Sequence, residues 1–124
     1  PYRVTLTNPQ GHTWYADEPA EKGGSDTAPN PMQILLSALG ACTTVTLEMY
    51  ADHKDIKIEH IQVDLALNPA GDPEAGQNNI VRTITLKGDF TEEQYKRLLK
   101  VAESCPVHKL LTSNIQIQTE LSIK

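Results

Sequence analysis

The sequence predicts an α+β fold in which antiparallel strands pack around one long, buried, apolar helix. Residues 2–7, 58–68 and 80–90 alternate between apolar and polar side chains, which is the period of a strand with one covered face. Residues 34–50 carry apolar side chains on nearly every helical face, which favours a helix buried on most sides. A chain of 124 residues is long enough for one core, and we predict a single domain over residues 1–124.

Turn and cap residues give the order of the first elements. A turn at residues 8–11, Asn-Pro-Gln-Gly, joins the first strand to a second arm at residues 12–17. The Gly- and Pro-rich residues 18–30 then form a loop. Asn30 suits the N-cap of the long helix, because Pro31 and Gln33 occupy the first-turn positions of a capping box.

The second half of the chain reads as a hairpin, two helices and a closing strand. Residues 58–68 and 80–90 form the hairpin across a flexible connection. Thr-Glu-Glu-Gln at residues 91–94 is a second capping box, and it opens an amphipathic helix. Pro106 ends that helix and can open a short one, since proline disfavours helix at the residue before it. Residues 115–123 alternate again and predict a strand.

The composition excludes several classes of protein. Hydrophobic residues make up 39% and charged residues 22% of the chain, as in globular proteins. The net charge is −5 and the basic residues are scattered, so we expect no nucleic-acid partner. The first residues lack a secretory pattern, and the apolar stretch from Ile34 to Leu47 is shorter than the roughly 20 residues of a membrane span. We therefore expect a cytoplasmic protein without a membrane partner.

The chain has two cysteines, and both are candidates for chemistry. Cys42 lies in the long helix, where a cysteine most often serves as a small buried apolar residue. Cys105 precedes Pro106 at a helix break, where backbone N–H groups of the next helix could stabilise a thiolate. Two thiols in capped helical segments suggest a pair, although bridging needs a Cα separation of roughly 4.4–6.8 Å that only a structure provides.

The sequence gives little indication of a metal or cofactor site. His108, three residues after Cys105, could act as a base or a metal ligand. The other histidines do not fall at the spacings of zinc ligands, so we expect no metal site. No phosphate-binding or dinucleotide-binding glycine motif occurs, and we expect no cofactor.

Two segments resemble the motifs of the OsmC/Ohr family of thiol peroxidases. These are "NPMQILLSALGACT" around Cys42 and "AESCPVHKLL" around Cys105, and the order of strands and helices is also similar. The resemblance implies an OsmC-like fold and an intertwined homodimer with both active sites at the interface.

The resemblance also implies a reaction. Cys42 would attack a hydroperoxide and become a sulfenic acid, and Cys105 would condense with it to a disulfide. A small dithiol or a reductase would then reduce the disulfide. The chemistry of thiols is consistent with this order, since a resolving thiol protects a sulfenic acid from further oxidation and an apolar pocket favours organic hydroperoxides.

The sequence departs from the family at the residues that orient the thiolate. The family uses an arginine in the loop before the helix, held by a glutamate on the first helical turn. Here Gln33 stands at the glutamate position, and residues 18–30 contain no arginine. Lys22 is the nearest cation by spacing, although it lacks the guanidinium fork. Lys22, Gln33 and His108 are therefore our predicted supporting residues.

These departures place the chain nearer the family's poorly characterised OsmC-like branch and leave two alternatives open. In one, the cysteine pair oxidises slowly and acts as a redox sensor that changes shape or partner. In the other, both thiols are inert and the protein binds an apolar small molecule.

Overall fold

A computed structural model describes all 124 residues, and the chain divides into two compact units. The first unit contains Pro1–Gly40 and Asp64–Thr83, and the second contains Ala41–Val63 and Ile84–Lys124. Long antiparallel strand pairs and one long helix confirm the predicted α+β class. The elements are β1 (Val4–Thr7), β2 (Thr13–Ala16), a 3-10 helix (Ala20–Lys22), α1 (Pro31–His53), β3 (His60–Leu67), β4 (Ile80–Lys87), α2 (Glu92–Glu103) and α3 (Pro106–Leu111).

The predicted N-terminal hairpin is confirmed in the first unit. β1 and β2 pair antiparallel with Val4 opposite Ala16 and Leu6 opposite Trp14. In the turn, the side chain of Asn8 accepts a hydrogen bond of 2.9 Å from the backbone N–H of His12. The alternation of the two strands therefore places these four apolar residues on one face and Tyr15 on the other.

A buried carboxylate holds the loop that follows β2. Asp17 accepts hydrogen bonds from the backbone N–H of Glu18 at 2.8 Å and from the N–H and hydroxyl of Thr27 at 3.1 and 2.8 Å. The hydroxyl bond of Thr27, followed by these backbone bonds, lowers the pKa of Asp17 from 3.8 to about 2. Arg3 donates to the carbonyl and the hydroxyl oxygen of Thr27. The loop is thereby tied to β1 and β2.

Two glycines of the first unit allow close approaches that a side chain would prevent. A Cβ atom at Gly24 would overlap the carbonyl group of Glu18 across the loop. A Cβ atom at Gly40 would lie 3.0 Å from a methyl carbon of Leu65, so its absence lets α1 approach β3 closely. The glycine pair at residues 23–24 thus has a structural reason, which the sequence did not reveal.

The second unit has a small apolar core. Leu47 of α1 and two residues of α2, Leu98 and Ala102, are fully buried. The predicted capping box opens α2, because Thr91 and Gln94 exchange side-chain bonds of 2.9 and 3.1 Å with each other's backbone N–H groups. Partly buried side chains surround the core: Tyr50, Ile58, Ile61, Ile84, Leu86, Phe90 and Val101.

α1 is less buried than its composition predicts. Leu39, Thr43, Leu47 and Ala51 recur every four residues and are buried, as expected for one covered face. The prediction that α1 is buried on most sides is wrong for the single chain, since only 22% of its most apolar 18-residue window is buried. The helix is long and apolar enough to cross a membrane, a property that core helices of soluble proteins share. Its exposed apolar residues, called the α1 stripe below, are Met32, Leu35, Val45 and Met49.

The predicted closing strand at residues 115–123 does not form in the single chain. Ile117, Leu121 and Ile123 are 85%, 86% and 90% exposed. A strand needs a partner for its backbone hydrogen bonds, and no element of the same chain provides one for this segment. We call residues 114–124 the C-terminal segment.

We predict that the second unit depends on Leu98 and tolerates a change at its neighbour. Leu98 is 2% exposed and Leu99 is 55% exposed. Leu98→Ala should lower the free energy of unfolding by about 2–5 kcal/mol, because it leaves a cavity. Leu99→Ala should cost about 1 kcal/mol or less. Urea denaturation at one protein concentration measures both, and equal losses would contradict this assignment of the core.

We also predict an acid dependence of stability that comes from Asp17. Its folded pKa of about 2 lies below the ordinary 3.8, so its contribution is complete above pH 3.8 and disappears as the pH falls through about 2. The difference in unfolding free energy between wild type and Asp17→Asn should therefore shrink from pH 6 to pH 2. A difference that stays constant with pH would refute the prediction. Thr27→Val removes the hydroxyl donor and should weaken the same dependence.

Candidate thiol site

The two cysteines of the chain lie together in the second unit. Cys42 on α1 and Cys105 at the start of α3 are 3.6 Å apart and form no disulfide. Cys42 is partly exposed, whereas Cys105 has no exposed surface. The site therefore contains one thiol that a reactant can reach and one that it cannot.

α1 presents Cys42 beside an apolar surface. Val45 and Met49 follow Cys42 by three and seven residues, a spacing that places all three on one side of a helix. Both are exposed, and Met49 is 68% exposed. The next residue, Thr43, is fully buried. Cys42 thus lies beside two exposed apolar side chains of the second unit.

The break between α2 and α3 positions Cys105. α2 ends at Glu103, and Pro106 occupies the first position of α3, which leaves Cys105 as an extended N-cap residue. Its sulfur accepts a hydrogen bond of 3.3 Å from the backbone N–H of His108. A donor from the first turn of α3 thus contacts the sulfur, and its stabilisation of a thiolate stays a prediction.

His108 contributes its backbone to this site. Its side chain is partly buried. The role of its imidazole as a base stays a prediction. Among the residues of the chain, no group of three or more His, Cys, Asp or Glu side chains is arranged to hold a metal ion. The sequence indicated that N–H groups follow Cys105 but not which one donates, since that depends on the geometry of the turn.

Lys22 and Gln33 belong to the first unit. Gln33 forms the predicted capping box, in which its side chain accepts from the N–H of Asn30 and its N–H donates to Asn30, both at 2.9 Å. Lys22 ends the 3-10 helix and is exposed. Gln33 thus has a structural role in capping α1. A supporting role of Lys22 or Gln33 in thiol chemistry stays a prediction.

An open apolar groove lies elsewhere in the second unit, between α1, β4 and α2. It encloses a cavity of about 130 Å³. No sequence pattern predicted this groove, because its lining residues come from separate segments of the chain that meet only in the folded protein. The lining residues are Leu47, Ile84, Leu86, Phe90, Tyr95, Leu98 and Leu99.

The α+β fold thus brings two free cysteines within 3.6 Å of each other, and this pair is the candidate site. Residues 23–120 match the family described as OsmC-like protein, and the chain belongs to that family. No match is found among curated protein sequences.

Solved structures share the fold. An OsmC-like protein from Mycoplasma pneumoniae is 20% identical with a TM-score of 0.67, over 88% of this chain and 84% of that one. An organic hydroperoxide resistance protein, OsmC, from Legionella pneumophila is 20% identical with a TM-score of 0.61, over 90% and 88%. The organic hydroperoxide resistance protein OhrB of Bacillus subtilis is 25% identical with a TM-score of 0.56, over 97% and 96%.

Proposed function

We propose that the protein is a cysteine-based reductase of organic hydroperoxides. The thiolate of Cys42 attacks the terminal oxygen of the hydroperoxide and breaks the O–O bond. The terminal OH group stays on the sulfur as a sulfenic acid, and the remaining RO⁻ fragment takes up a proton and leaves as an alcohol. The thiolate of Cys105 then attacks the Cys42 sulfur, and the hydroxyl group leaves as water to give a disulfide. A small dithiol or a reductase returns both residues to thiols. We place this cycle in the cytoplasm, where a reducing environment keeps thiols reduced.

The observation that carries the proposal is the 3.6 Å separation of two unequal thiols. A sulfenic acid at Cys42 would form within reach of Cys105, so resolution would need little movement of the chain. The difference in exposure supports the order of the two roles, because the peroxide must reach the first thiol and need not reach the second.

The surroundings of Cys42 support an organic substrate. The exposed side chains of Val45 and Met49 offer apolar contact to an alkyl or aryl group and none to hydrogen peroxide. Two of the similar structures are named organic hydroperoxide resistance proteins, which supports the same class of substrate here.

Two observations favour the alternative functions, a redox sensor and a protein that binds an apolar small molecule. The loop of residues 18–30 contains no arginine, and Gln33 is engaged in capping α1. A thiolate with weaker orientation would react more slowly, which suits a redox sensor better than an efficient enzyme. The apolar groove of about 130 Å³ is the feature that favours binding of an apolar small molecule.

We infer that the protein acts as an intertwined homodimer. A single chain leaves the α1 stripe, the C-terminal segment and Trp14 of the N-terminal hairpin uncovered. A second copy carries the same apolar surfaces, so a symmetric pair can give each of them an apolar partner. The C-terminal segment alternates between apolar and polar residues from Ile115 to Ile123, with Thr119 as the one polar residue on the apolar face, as a strand added to another sheet does.

The peroxidase proposal predicts different defects for the two cysteines. Consumption of cumene hydroperoxide and of hydrogen peroxide is measured with excess dithiothreitol. Wild type should prefer the organic peroxide, and Cys42→Ser should lose all turnover. Cys105→Ser should consume about one equivalent when no reductant is present, because its sulfenic acid has no partner.

Turnover that persists in Cys42→Ser would contradict the peroxidase proposal. Oxidation of wild type to a disulfide without turnover would favour the sensor instead. Thiols that resist peroxide in the folded protein would favour the ligand-binding alternative. Lys22→Ala serves as a further variant, and slower oxidation of Cys42 with an unchanged melting temperature would support its predicted part.

The dimer predicts that one face of the C-terminal segment matters and the other does not. Ile117→Lys with Leu121→Lys places charges on the apolar face and should give a monomer by sedimentation equilibrium. Gln116→Lys with Gln118→Lys adds the same charge to the polar face and should leave the dimer intact. A wild-type monomer at all concentrations would contradict the dimer, and equal masses for the two variants would contradict this use of the segment.

A further inference from the structure

We propose that the reducing thiol attacks the sulfur of Cys42 in the oxidised protein, and that Cys105 leaves as a thiolate stabilised by the backbone N–H of His108. This inference rests on the proposed disulfide between the two residues, and it adds which sulfur receives the electron donor. It also makes His108 a positioning residue through its backbone rather than through its imidazole.

Access is the first argument. An attacking thiolate must approach one sulfur of a disulfide along the line of the S–S bond, so the attacked sulfur must be reachable. Cys105 has no exposed surface in the chain, whereas Cys42 is partly exposed. Assembly with a second copy can only add cover to Cys105, whereas the proposed reaction requires that Cys42 stay open to the peroxide in the assembly. A donor from solution therefore has one target.

The quality of the leaving group is the second argument. A thiol of lower pKa leaves faster in disulfide exchange. As Cys105 departs, its negative sulfur can keep the hydrogen bond from His108 N–H, 3.3 Å away in the thiol form. Pro106 fixes the first turn of α3 and has no N–H of its own. Cys42 lies inside α1, where backbone N–H groups are used by the helix itself.

The electrons and atoms balance in two exchanges. A donor thiolate forms a mixed disulfide with Cys42 and breaks the Cys42–Cys105 bond, which releases Cys105 as a thiolate. A second donor thiolate, or the second thiol of a dithiol, then attacks the donor's sulfur in the mixed disulfide. Cys42 is released as a thiolate, and the donor leaves as its own disulfide. Two thiols are oxidised for each protein disulfide reduced.

Peptide mapping identifies the attacked sulfur directly. The disulfide is formed with diamide rather than with a peroxide, so the result does not depend on peroxidase activity. The oxidised protein is mixed with glutathione, quenched in acid after milliseconds to seconds, and digested with pepsin for mass spectrometry. We expect glutathione on the peptide of Cys42. Glutathione on Cys105, or equally on both, would overturn the inference.

A pair of variants at one position separates the backbone from the side chain. His108→Pro removes the N–H donor, and His108→Ala keeps it while removing the imidazole. His108→Pro should slow reduction by glutathione roughly three- to tenfold and raise the pKa of Cys105, read from thiolate absorbance in a Cys42→Ser background. His108→Ala should change both quantities little. Equal effects in the two variants would refute the proposal that the N–H group of His108 stabilises the departing thiolate of Cys105.

The two proposals can fail separately. If peroxide produces no disulfide while diamide does, the peroxidase proposal fails and the site of glutathione attack still tests this one. If His108→Pro unfolds, as circular dichroism would show, the peptide map of the wild-type protein remains decisive.

Discussion

The site depends on the helix break at Cys105. Because Pro106 cannot continue α2 and starts α3 instead, the residue before it becomes an N-cap. The side chain of an N-cap residue points back toward the N–H groups of the first turn. Here that side chain is a thiol, and it reaches the N–H of His108. One local conformational constraint thus fixes the position of the second sulfur and its hydrogen bond.

The long helix supplies the other half of the site under a different constraint. Within the single chain only one face of α1 is covered, and on that face every fourth residue is buried. Cys42 lies on the same side of the helix as Val45 and Met49 and is partly exposed. The proposed preference for organic peroxides rests on this partial exposure beside apolar side chains. The same exposed surface is the physical reason to expect a second copy.

Local signals predicted the elements well, and long-range contacts were the part that they missed. The capping boxes at Asn30 and Thr91 and the proline at 106 specify helix starts through bonds within four residues. The burial of α1 and the C-terminal strand were overestimated, because a periodic pattern shows which face is apolar but not what covers it. The bonds from Asp17 to Thr27 join residues ten apart, and no motif in the loop indicates them.

By itself the sequence determined the α+β class, the helix starts, the family and the two thiols. Each of these depends on local conformational preference or on a short motif in the chain. Only the tertiary structure decided that the thiols are 3.6 Å apart and that one is buried while the other is reachable. Distance and burial depend on how α1 and the α2–α3 break pack in the second unit, and that packing is a sum of weak contacts between residues far apart in the chain.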